Sequence, residues 1–166
     1  MLSSWLLRGL VMAVVHFVAR YLLGLVIIDH PLHTTVWKTI TVAIVVFIAL
    51  LWGGIDGLVD GRAHDDPDDY DDLTVRWLKA GVFAGVVAAL VSYFVGRYFF
   101  AGIGQASFLI ELFAGASFTA LLVFAPAFLG AAVGRFLMRR THRSKTPDDD
   151  GGPASDDAPT VQMAKV

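Results

Sequence analysis

Four apolar stretches, at about 10–28, 39–58, 77–95 and 106–134, constrain this chain more than any other feature. Each is close to the 20 or so residues needed to cross a hydrocarbon core of about 30 Å. Together they take up more than half of the 166 residues and leave no room for a soluble domain. The composition agrees, with 56% hydrophobic residues, 17% charged residues and a mean hydropathy of +0.64. The β-branched run ITVAIVVFIALLW would suggest a strand in water. In lipid, its length and unbroken apolarity favour a helix that closes its own backbone hydrogen bonds. The expectation is an all-α polytopic membrane protein, with four transmembrane helices in two hairpins. The first stretch is predicted to be retained and not cleaved as a signal peptide. Its apolar run continues past Arg20 to Ile28 and ends in DHPLH, without a small-x-small site.

Lys and Arg in short loops are held on the cytoplasmic side. Arg8 precedes the first helix, Arg62, Arg76 and Lys79 flank the central loop, and Arg135, Arg139, Arg140, Arg143 and Lys145 follow the fourth helix. The opposite loops offer Lys38 and Arg97. This bias predicts an inner-membrane, multi-pass protein with both termini and the central loop in the cytoplasm.

Small residues recur at helical spacing. Gly53, Gly57 and Gly61 lie four apart, as do Gly130 and Gly134, while Gly81, Gly85, Ala89, Ser92 and Gly96 run down one side of the third helix. Such faces let backbones approach closely, which is what drives helix association in lipid. Asp56 and Asp60 occupy a neighbouring face at the end of the second helix, on a predicted cytoplasmic extension. An acidic loop follows at 62–76, broken by Pro67. Pro126 is expected to kink or weaken the fourth helix. The tail 144–166 is rich in Pro, Gly and Asp and is predicted to be disordered.

The candidate functional groups are the ionisable side chains inside the apolar stretches. Arg20 lies about 12 Å, and Glu111 about 8 Å, below the outer ends of their predicted helices at 1.5 Å per residue. Intramembrane charges are costly, so they pair, line cavities or serve transport. Glu111 can pair with Arg20, or with Arg97 across the second hairpin. His16, one turn from Arg20, reads as a buried hydrogen-bonded histidine or as a proton-relay group. The acidic run from His64 to Asp72 offers oxygen ligands suited to Mg²⁺ or Ca²⁺ but lacks the calcium-loop pattern. It reads as a solvated connector able to pair with the basic end of the fourth helix. No metal site, cofactor or nucleic-acid partner is expected. The chain has no cysteine.

Asp56, Gly57, Asp60, Gly61 and Arg62 superficially resemble the metal motif of alcohol phosphatidyltransferases. The order at Arg62-Ala63 is reversed, and the later glycine and two aspartates of that motif are missing. The chain is therefore not expected to be an enzyme.

HFVARYLLG in the first helix, WGGIDGLVDGR at the end of the second and the loop DDPDDYDDLTVRWLKAG resemble short actinobacterial four-helix membrane proteins related to the drug/metabolite transporter superfamily. The resemblance covers about residues 5–140 and implies a small-molecule or ion transporter. The small multidrug resistance transporters are similar in helix number but carry their coupling glutamate in the first helix, where this chain has His16 and Arg20. Four helices are little material to enclose a large substrate, so a parallel homo-oligomer or a membrane-protein partner is expected. The other function class is a non-catalytic scaffold or accessory subunit that binds another membrane protein through the Gly81, Gly85 and Gly96 seam.

Overall fold

A backbone surrounded by hydrocarbon must satisfy its hydrogen bonds within each crossing segment, and this chain does so with helices. The computed structural model describes residues 4–64, 70–100, 103 and 106–143. Helix α1 spans Ser4–Asp29, a 3-10 turn Pro31–His33, α2 Thr34–Ala63 and α3 Leu73–Tyr98. The fourth span is composite: α4 covers Phe108–Ile110, a π-helical turn Glu111–Gly115, and α5 runs from Ala116 to Arg143. All four spans are long and apolar enough to cross a membrane. The protein is an all-α, four-helix membrane protein.

The helices extend beyond the apolar windows where the charges begin. Helix α2 carries Asp56 and Asp60 within its last turns, and α3 starts at Leu73, so the loop expected at 62–76 narrows. Asp72 caps α3 by accepting the Val75 N–H at 3.0 Å, meeting one of the four orphan donors of a helix start. The rest of the acidic run, 65–69, and the tail 144–166 lie outside the described residues.

Connectivity makes α1 and α3 run in one direction and α2 and α5 in the other. The packing order is α1 on α3, α3 on α5 and α5 on α2, with only light contact between α2 and α1. The core is built mostly from small side chains, such as Ala13, Ala49, Ala80, Ala84 and Ala127, around Met12, Val45, Trp77 and Val123. Lipid is as apolar as leucine, so close van der Waals contact, not removal of surface from water, holds such a core.

The glycine faces supply that contact. A methyl at Gly53 or Gly57 would land on the backbone of Ala127 or Ala131, and one at Gly130 or Gly134 on the carbonyl of Leu50 or Gly54. Helices α2 and α5 therefore touch backbone to backbone through reciprocal glycine pairs. The α3 face is also occupied within the chain: Gly81 meets Ala120, and Gly85 meets Ala116. Helix α5 continues through buried Pro126. A π-helical turn occupies Glu111–Gly115.

Candidate functional site

The first hairpin does not pack on itself. Its helices meet at the Pro31–His33 turn and again at the far end, where Arg8 of α1 binds Asp56 of α2. Between these points lies a cavity of about 410 Å³ bounded by α1, α2, the π turn and α5. Its polar lining is His16 and Arg20 from α1, Lys38 and Thr41 from α2, Glu111 from the π turn and Thr119 from α5.

The spacing of four puts His16 and Arg20 on one face of α1. Glu111 opens the π turn, in which the Ala116 N–H reaches back to the Glu111 carbonyl. Its carboxylate folds over Gly115, where an added Cβ would stand 3.1 Å from Oε1. Glycine thus leaves the room in which Glu111 meets Arg20. Arg20 Nη1 donates to Glu111 Oε1, with the two side chains 27% and 7% exposed. A charge pair this sheltered is held by mutual attraction against a large desolvation cost, so loss of either partner strands the other. Arg97 lies exposed near the end of α3, and the partner of Glu111 is Arg20.

His16 is buried and lies 3.0 Å from the Thr119 hydroxyl through Nε2. That hydroxyl donates to the Gly115 carbonyl at 2.9 Å, so it accepts from His16 Nε2–H, and the other ring nitrogen becomes a bare acceptor. Nδ1 has no partner among the described residues. Four functional side chains therefore form a chain across the cavity floor, Arg20 to Glu111 and His16 to Thr119, joined through the π turn.

The two aspartates of α2 serve the opposite end. Asp56 accepts from Arg8 Nε at 2.7 Å and Nη2 at 2.8 Å and from the Trp77 indole at 3.0 Å. Asp60 accepts from Arg135 and from the Asp71 N–H at 3.1 Å. One carboxylate joins α1, α2 and α3, and the other joins α2, α5 and the start of the α3 segment. Arg135 and Arg139 also stand over the Tyr70 ring, at 5.0 and 5.1 Å. The basic end of the fourth span thus meets the Tyr70 ring and the Asp71 carbonyl, while the Asp71 carboxylate binds Arg76 and the acids at 65–69 of the expected charge pairing lie outside the described residues. Among the described residues, no group of three or more His, Asp or Glu is placed to hold a metal ion.

No family model matches the chain, and no curated protein matches it. Sequence reasoning had singled out Arg20, Glu111 and His16, which the fold gathers, and Asp56 and Asp60, which it uses elsewhere. It missed Lys38 and Thr119 as lining residues, Arg8 and Trp77 as partners of Asp56, and the π turn. Arg8 and Trp77 carried a usable signal, since each sits at the same end of its helix as Asp56.

Proposed function

We propose that this chain is a transporter of the inner membrane that moves a small molecule or ion, with both termini cytoplasmic and no chemical step. The observation that carries the reading is the Arg20–Glu111 pair inside a cavity within the apolar spans. Ionisable groups are kept there, despite their cost, chiefly along substrate and ion paths. The paired end, with Arg8, Asp56, Asp60 and Arg135, acts as a closed gate beneath the cavity in this conformation. The same end collects Arg62, Arg76 and Lys79, which supports the cytoplasmic assignment by the positive-inside rule. Membership among the short actinobacterial four-helix relatives of the drug/metabolite transporter superfamily is part of the proposal, on HFVARYLLG and WGGIDGLVDGR.

Reconstituted vesicles test it. Wild type should move protons or a solute from a screened panel, and Glu111→Gln should lose that flux while still assembling. Absence of flux in wild type would turn the assignment toward a scaffold or accessory subunit. Such a subunit would need a docking face other than Gly81 and Gly85, which α5 already covers.

A further inference from the structure

A second hollow, of about 460 Å³, adjoins the polar cavity and is walled by apolar side chains of α1 and α2, including Val18, Leu22, Ile40 and Ile44. Ala19, Leu23, Thr41 and Val45 border both, so the two form one slot. Its lips are outward-facing: Leu22 and Ile44 are 54% and 52% exposed on surfaces that a membrane helix presents to lipid. The Pro31–His33 turn joins α1 to α2 beyond one end of the slot, and Arg8–Asp56 joins them beyond the other. A molecule reaches the polar floor sideways, from the bilayer.

The floor is unbalanced. Arg20 and Lys38 face one carboxylate, Glu111, leaving a formal surplus of one positive charge. Arg20 commits Nη1 to Glu111, and the rest of its fork of five N–H donors can take a second acceptor. His16 Nδ1, behind the same wall, is a buried polar atom without a partner among the described residues. Hydrocarbon surroundings make the orphaned atom costly, and the surplus positive charge at the mouth favours an anion.

We infer that the slot binds a single-chain amphiphile with a carboxylate head. The head sits on Arg20 and Lys38, where a planar carboxylate matches the guanidinium fork, and the chain lies along the apolar lips. One acyl chain suits a slot walled by two helices. This inference deepens the transport reading and rests on the same cavity, although binding is separable from movement.

Non-denaturing mass spectrometry of the purified protein in detergent tests it with tetradecanoate, tetradecanol, tetradecyltrimethylammonium and a two-chain phosphatidylglycerol. Wild type should retain one tetradecanoate per chain, and tetradecanol and the ammonium roughly tenfold more weakly, the ratio that losing one charge-assisted contact of about 1.4 kcal/mol produces, while the second chain of the phosphatidylglycerol should keep that anion from being retained. Lys38 is exposed, so Lys38→Glu should fold, and its inverted charge should transfer the preference to the ammonium. Leu23→Trp, which fills the slot, should abolish retention of tetradecanoate. Equal retention of acid and alcohol, equal retention of the two-chain lipid, or an unchanged preference in Lys38→Glu overturns the inference. Retention of tetradecanoate without flux of any solute upholds this site and overturns transport; flux without retention does the reverse.

Discussion

Arg135 binds Asp60 through two nitrogens, Nε at 2.7 Å and Nη2 at 2.6 Å, and with Nη2 also donates to the Asp71 carbonyl at 2.5 Å. The side chains are 20% and 4% exposed, so the pair is sheltered from water. Asp60→Asn or Arg135→Ala should destabilise the protein by about 3–5 kcal/mol, because the remaining charge is left buried and unmatched. Arg135→Lys should recover only part of this, since an ammonium lacks the planar fork. Unfolding in mixed micelles measures the difference, with exposed Arg62→Ala as a control expected within about 0.5 kcal/mol.

The glycine contacts make a second, graded prediction. Gly57→Ala drives a methyl into the Ala131 backbone, whereas Gly54→Ala meets its nearest atom, the Gly130 carbonyl oxygen, at 3.7 Å. The first should cost about 1–3 kcal/mol by forcing α2 and α5 apart. The second should fold as wild type does. Equal melting temperatures for the two variants would contradict the backbone contact.

For Arg20 and Glu111 the informative measurement is a double-mutant cycle. Arg20→Gln and Glu111→Gln should each destabilise by leaving a lone charge among apolar helices, and the double variant should lose less than the sum of the two. An interaction energy near zero would mean that each charge finds water without the other.

Salt should separate the contacts at the paired end. The Arg76–Asp71 bridge, with side chains 26% and 53% exposed, and Tyr70 beside Arg139 should lose hydrogen-exchange protection in the neighbouring backbone as salt screens them. Protection near Asp60 should persist, because a sheltered pair is screened much less. Parallel loss at both places would show that water reaches Asp60 freely.

Spans, class and the intramembrane charges were legible in the sequence because length and the cost of charge in lipid depend on local composition alone. The spacing of Gly53 and Gly57 announced a close approach, yet nothing in it named α5 as the partner. Hydrophobic pattern distinguishes core from water but not protein from lipid, so it is silent on helix order and on the opening between α1 and α2. For the same reason Lys38 stands out in the sequence only as an outer-loop charge and not as part of a cavity wall. Glu111 had two arginines within reach by depth; only the three-dimensional order of helices decides for Arg20. The spacing of Asp56 and Asp60 places them on a cytoplasmic extension of the second helix but does not name their partners, arginines from two other helices.

The π turn at Glu111–Gly115 gives the carboxylate its azimuth. A π turn contains one residue more than the α-helical turn it replaces, and each residue in an α-helix advances the side-chain direction by about 100°. Closing 111–115 as ordinary helix with every residue kept would rotate Phe108–Glu111 by roughly that angle about the axis and carry Glu111 off Arg20, whereas deleting one residue from 112–114 would leave the flanking helices in phase. The same rotation is available to the intact chain whenever the extra residue migrates along the helix. Glu111 is thereby mounted on an axle, and its engagement with Arg20 is a matter of phase.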